Sequence, residues 1–289
     1  MSDITHPQSP SDTNWVPPSD RLEFKDGMWC AATPAKVFYP EADNDLCFQV
    51  EEGSFWFRHR MDCVRTVIQL FPPAGTLYDI GGGNGFVALA LQNSGTRIAL
   101  VEPGRGARNA LLRGVRHVIQ ATLDGARFLP HSLPAVGAFD VVEHISDDVA
   151  FLHSIREQLV PRGRFYCTVP ASPALWSGDD VHAGHFRRYD RQTLSTALHK
   201  AGFTIEFVSP LFLWLFAPIY LLRTLPYQLR LKLRTEIGTP AAIQSAHHLP
   251  ALINPMVAAA HTWELARLQA RRSLPFGTSL LCVARANPT

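Results

Sequence analysis

The sequence predicts an α/β fold built on a mostly parallel sheet, and three observations carry that expectation. Short apolar runs alternate with stretches of helical spacing from residue 54 to residue 209, the pattern of strands joined by crossover helices. The first run ends in the glycine-rich turn Asp79-Ile80-Gly81-Gly82-Gly83-Asn84-Gly85, where bare backbone lets a ligand approach closely. The second run ends in Glu102, 21 positions after Gly81, a spacing that suits an acidic residue taking ribose hydroxyls.

The elements follow in order. Residues 1–20, rich in Ser, Pro and Asp, read as a disordered tail, and 21–289 as one domain. Residues 22–53 are mixed, with short strands expected near 36–39 and 47–50. Helical spacing over 54–71 predicts a helix leading into the glycine turn. Strands one to three are expected at 76–80, 97–102 and 117–120, with helices at 84–92 and 106–113. A short strand four covers 135–138, and a helix over 147–159 is stopped by Pro161 and Gly163. Strand five spans 164–169, a helix 191–201 ends at Gly202, strand six spans 204–208 and strand seven 278–284. The expected architecture is Rossmann-like: seven strands, helices on both faces, and a helical insertion over 210–273 between strands six and seven.

The chain has 289 residues, is 46% apolar and 18% charged, and carries a formal charge of +2. This composition fits a sizeable globular core and gives no basic excess for nucleic acid, so no nucleic-acid partner is expected. Five scattered cysteines without a C-x-x-C pair indicate neither a disulfide framework nor a zinc site. A cytoplasmic location is the expectation. The insertion opens with twelve apolar residues, 211–222, fewer than the ~20 needed to span a bilayer. Arg223, Arg230, Lys232 and Arg234 follow, so 211–234 reads either as a buried helix pair or lid, or as a peripheral membrane contact. A further helix is expected over 255–271.

The glycine turn selects among ligands. Phe86 stands where a dinucleotide fingerprint wants its third glycine, and no P-loop motif is present. A carboxylate at Asp79 repels pyrophosphate and suits a cation. These features point to S-adenosylmethionine, which carries an ammonium and a sulfonium. On them the chain resembles the class I S-adenosylmethionine-dependent methyltransferases over about 54–209. The resemblance implies that Asp79, Gly81, Gly82 and Gly83 line the methionine part of the cofactor, with Glu102 on the ribose. It further implies adenine contacts near Thr122, a cofactor contact at Phe139, and a methionine-carboxylate contact from Arg58, His59 or Arg60, with Arg60 favoured.

Two further stretches carry the expected chemistry. Phe139-Asp140-Val141-Val142-Glu143-His144-Ile145 is similar to the strand-four edge of ubiquinone-pathway O-methyltransferases, although Pro134 stands where they have aspartate. Asp140 and His144 are four apart. On one helical face the carboxylate would orient the imidazole; in the other reading Asp140 caps a helix and His144 packs. Leu175-Trp176-Ser177, Asp180, His182 and Gly184-His185-Phe186-Arg187-Arg188-Tyr189 resemble a G-H-x-R-R-Y subgroup of bacterial members of the superfamily. Trp176, His182, Arg188 and Tyr189 are read as acceptor-binding, and His144, His185 and Asp140 as catalytic. Asp180, His182 and His185 lack a third firm metal ligand, so no metal is expected.

The expected activity is methyl transfer to a hydroxyl of a small-molecule or lipid-like acceptor, with a histidine as base. N-methylation of a small amine, or a non-catalytic cofactor-binding role, remain alternatives at this level.

Overall fold

A computed structural model describes residues 15–32, 41–231 and 254–288. Nine strands form one sheet in the order β1-β2-β5-β4-β3-β6-β7-β9-β8. They are β1 (Leu22–Lys25), β2 (Met28–Ala31), β3 (Leu77–Ile80), β4 (Ile98–Val101), β5 (Val118–Gln120), β6 (Leu133–Phe139), β7 (Leu159–Pro170), β8 (Phe203–Leu211) and β9 (Ser279–Ala286). The seven expected strands are present as β3 to β9. The two further strands make a hairpin whose β2 pairs parallel to β5. That hairpin turns at Asp26-Gly27, both at positive φ, the chemistry of a tight two-residue connection.

Strands β3 and β4 are buried along their whole length, as parallel strands covered on both faces must be. Two apolar clusters fill the two faces, one around Tyr78, Ile80 and Phe165, the other around Val64, Leu100 and Leu281. Strand β9 runs antiparallel between β7 and β8, with a register shift against β8 between Ile205 and Phe207. Pro134 sits at the register shift between Leu133 and Ala135, where a missing N–H costs least.

The helices are α1 (Glu41–Val50), α2 (Phe55–Leu70), α3 (Phe86–Asn93), α4 (Gly106–Arg113), α5 (Leu123–Ala126), α6 (Asp148–Gln158), α7 (Gly178–Ala183), α8 (Arg191–Lys200), α9 (Phe216–Ile219), α10 (Leu225–Gln228) and α11 (Asn254–Gln269). Ser54 caps α2 by accepting from the Phe57 N–H at 3.3 Å. The strand expected at 47–50 is the last turn of α1, and the one expected at 36–39 lies outside the described residues. Residues 15–20 belong to the folded body rather than to a tail. Trp15 packs on His117 and Tyr78, and the Ser19 hydroxyl donates to the Ala126 carbonyl at 2.6 Å.

Helix α11 packs on α2, and one buried carboxylate locks them. Glu264 accepts from the backbone N–H groups of Phe212 and Leu213 at 3.0 and 2.7 Å, and its Oε2 lies 2.8 Å from His59 Nε2. Among the described residues no helix is long and apolar enough to cross a membrane.

Candidate active site

The chain reverses its direction of winding at β3, which has β4 on one side and β6 on the other. Ligands of open α/β sheets bind beyond the carboxyl ends of the strands at such a point. Asp79, Glu102, Phe139, Asp140 and Ala171 all lie at or just past these ends.

The glycine turn is shaped by three positive φ values, at Gly81, Gly83 and Gly85. Gly82 answers a different need: a Cβ there would stand 2.6 Å from Asp79 Oδ2. The turn is therefore pressed against a carboxylate. Both Asp79 oxygens are buried without a hydrogen-bond partner. Burial pushes this carboxyl up to about 7, opposed by Arg60 and reinforced by Glu102. An orphaned anion behind bare backbone gains from a positive charge placed over the turn and repels a phosphate.

Glu102 accepts from the Gly83 and Gly104 N–H groups at 3.1 and 2.8 Å. Each oxygen keeps a further lone pair for a ribose hydroxyl. Thr122 caps the short helix α5 by accepting from the Gly125 N–H at 2.9 Å, so its side chain serves that turn. Phe139 ends β6, nearly buried, with its ring against Gly137. Arg113, read from sequence only as a helix end, donates to the Asn84 carbonyl at 3.0 Å and pairs with buried Glu51 at 2.6 Å. It braces the turn from behind.

Of the three candidates on α2, Arg58 is exposed, His59 is tied to Glu264, and Arg60 faces the site. Arg60 lies over the Trp56 ring at 5.0 Å and pairs with Asp140 at 3.1 Å. That ion pair misses hydrogen-bond geometry, leaving Arg60 Nε and Nη1 and Asp140 Oδ2 without partners. A guanidinium so placed can receive a carboxylate, so the buried groups fit the cofactor at both ends of its methionine.

Asp140 and His144 do not share the expected helical face. Asp140 is in the left-handed region at φ 59, and the following turn, Val142–His144, is a 3₁₀ turn. Asp140 instead accepts from the Thr168 hydroxyl at 2.9 Å, besides pairing with Arg60. The carboxylate–imidazole pair is made by Asp180, whose Oδ1 lies 2.9 Å from His185 Nδ1. His185 in turn packs edge-on against His144, ring centroids 4.8 Å apart. The Phe186 N–H donates to the Glu143 carbonyl at 2.8 Å, which holds the two segments together.

Electrostatics follow burial. Desolvation, with His185 beside it, pulls His144 down to about 4, against the opposing pull of Asp140. Glu143 is fully buried with Oε2 unpartnered, and burial plus Asp140 push its carboxyl well up. Burial also works against Asp180, but hydrogen bonds from His185 and Arg188 hold its carboxyl below the usual range. Ligand atoms of Glu143, His144 and His185 lie within 4.8 Å of one another, close enough to hold a metal ion. No metal set was legible in the sequence, because these residues come from two segments. Asp180 is spent on His185 and Arg188.

The residues read as acceptor-binding divide. Tyr189 is a core residue whose hydroxyl donates to Asp148 at 2.7 Å, and Arg188 pairs with Asp180 at 2.7 Å. Both build the loop rather than face a ligand. Trp176 is half-buried and His182 exposed.

A family model described as a methyltransferase domain matches residues 56–207. No curated protein sequence matches the chain. Two solved structures are similar in fold. A chain of the complex between the Haloferax volcanii Trm112 methyltransferase activator and a putative methyltransferase is 17% identical, with a TM-score of 0.53 over 86% of this chain and 97% of that one. A Thermotoga maritima S-adenosylmethionine-dependent methyltransferase, described as a possible histamine N-methyltransferase, is 16% identical, with a TM-score of 0.52 over 86% of this chain and 96% of that one. The family match spans more than half of the sequence and contains both the glycine turn and the strand-four edge. The chain belongs to the methyltransferase domain family and takes its methyl group from S-adenosylmethionine.

Proposed function

We propose that the chain methylates a hydroxyl of a small or lipid-like acceptor, with the His144–His185 pair receiving the hydroxyl proton. The observation that carries this is the contact of the two imidazoles beside the cofactor edge, with His185 held by a buried carboxylate. S-adenosylmethionine supplies an activated methyl group, so the protein has mainly to align the acceptor and manage one proton.

Each neighbouring group has a part. Asp180 accepts from His185 Nδ1 and fixes the ring, leaving Nε2 as the proton acceptor. His144, held down to about 4, is neutral throughout the working pH range. Arg60, set by Asp140 and Trp56, receives the methionine carboxylate of the cofactor. Trp176 and His182 supply the acceptor side.

The test pairs product identification with two variants. Incubation of the chain with methyl-labelled S-adenosylmethionine and extract, followed by mass spectrometry for an added CH₂, identifies the acceptor. His144→Ala and His185→Ala are then assayed separately at saturating cofactor; each is expected to lower turnover about 10²-fold. Full turnover in both removes them as bases. One observation favours N-methylation as second reading: a histidine held at about 4 is a weak base, sufficient for a neutral amine. In that case the pH–rate profile follows the ionisation of the amine.

A further inference from the structure

The segment from Phe216 to Leu231 is anchored at only a few points. Thr224 is fully buried, and its hydroxyl donates to the Leu175 carbonyl at 3.0 Å. Arg223 pairs with Asp179 at 2.9 Å. Phe216 meets Phe276 edge-on at 5.2 Å. These contacts lay the segment over the loop that carries Trp176, His182 and His185.

Its other side is apolar and left uncovered by the described residues. The segment runs from α9 through a π-helical turn, Tyr220–Thr224, into α10; Thr224 faces the body while Leu222 and Leu229 lie open. They are 70% and 59% exposed, and Leu221 and Leu231 are exposed to a similar degree. Tyr227 and Phe276 add aromatic surface. Five successive residues, 227–231, are all exposed. Exposed leucines in such a row are unusual on a surface that meets only water.

Charge says which partner this face suits. Among the described residues of 207–231 and 254–288 the one carboxylate side chain is Glu264, which is fully buried. Within the segment itself stand Arg223 and Arg230, the latter exposed beside Leu229 and Leu231. The acid that the segment meets, Asp179, is already paired with Arg223. An exposed leucine strip that carries Arg230 and no free carboxylate is complementary to an anionic lipid surface.

We infer that the Phe216–Leu231 segment docks the enzyme on anionic bilayers, its leucines entering the headgroup boundary and Arg230 meeting lipid phosphates. Docking deepens the lipid-like acceptor reading, because it sets the histidine-bearing loop beside the membrane, but the binding itself does not depend on methyl transfer.

The test is flotation of the full chain with vesicles of phosphatidylcholine alone, or with about 30 mol% phosphatidylglycerol, at low salt. Retention on the anionic vesicles is expected to exceed that on neutral ones by about tenfold and to fall as salt is raised. Leu222→Glu combined with Leu229→Glu is expected to lower retention about tenfold. Both sites are exposed, so melting temperature and S-adenosylmethionine binding should be unchanged, which separates loss of docking from loss of fold. Arg230→Glu should lower retention on anionic vesicles alone. No retention on anionic vesicles, or equal retention by the double variant, overturns the inference. So does a wild-type dimer in sedimentation that the double variant abolishes without any flotation, since the face then belongs to a second copy. Flotation is read without turnover, so its failure is distinguishable from failure of the proposed reaction.

Discussion

The two halves of the candidate site are built by opposite means. Around the cofactor, charged groups are buried and left unsatisfied: Asp79 has no partner for either oxygen, and Arg60 keeps two nitrogens unanswered. Within the acceptor loop, the buried charge of Asp180 is satisfied. Asp180 answers His185, Arg188 and the Ser177 N–H at once. Unsatisfied groups are an energetic debt that a ligand can settle, whereas satisfied ones hold a loop in place. One half is thus poised for a ligand and the other is scaffolding that presents His144 and His185.

The largest expected effect breaks the satisfied side. Asp180→Ala leaves half-buried Arg188 without its carboxylate partner and removes the N3 half of the α7 capping box, and should cost about 3–5 kcal/mol in urea unfolding. A cost below about 1 kcal/mol would show that the loop does not rest on this carboxylate.

The next effect sharpens the unsatisfied side, because it has two signs. Asp79→Asn should weaken S-adenosylmethionine binding by roughly 30–100-fold in calorimetry, the size of a lost charge-assisted interaction. The same change should stabilise the ligand-free protein at pH 8. Asp79 is raised to about 7 in the folded chain, against about 3.9 when unfolded. Between those values the folded state holds the extra proton, so the stability Asp79 contributes is full below about pH 4 and is lost as pH rises through about 7. The difference in unfolding free energy between wild type and variant, followed from pH 4 to pH 8, should show that slope. A flat difference would mean that the carboxylate is solvated.

A smaller effect probes the contact between turn and anion. Gly82→Ala puts a methyl 2.6 Å from Asp79 Oδ2, and the loop must shift to admit it. Cofactor affinity should fall about tenfold with little change in melting temperature. Equal loss of stability and affinity would assign Gly82 to packing instead.

The two halves also differ in how far the sequence reveals them. Asp79, the glycines and Glu102 act through neighbours within about twenty residues, so spacing alone exposes them. The β1–β2 hairpin carries a signal of the same local kind, Asp26-Gly27. The acceptor side depends on partners far apart in the chain. Nothing near Asp140 announces Arg60, and nothing near His144 announces His185. Tyr189 illustrates the resulting error: a tyrosine in a histidine-rich loop resembles a ligand contact until Asp148 is seen to receive its hydroxyl. His59 is the same case, claimed by Glu264 some two hundred residues away.

The placement of β9 between β7 and β8 bears on how the protein is made. As the ribosome elongates the nascent chain, β7 and β8 emerge well before residues 279–286 and cannot yet join each other through their native neighbour. Until that last strand slots in, each presents a row of unpaired amides and carbonyls, an invitation to intermolecular pairing. Premature termination anywhere in the stretch from 212 to 278 would therefore yield a product with a split sheet, one that quality-control proteases should meet as a substrate.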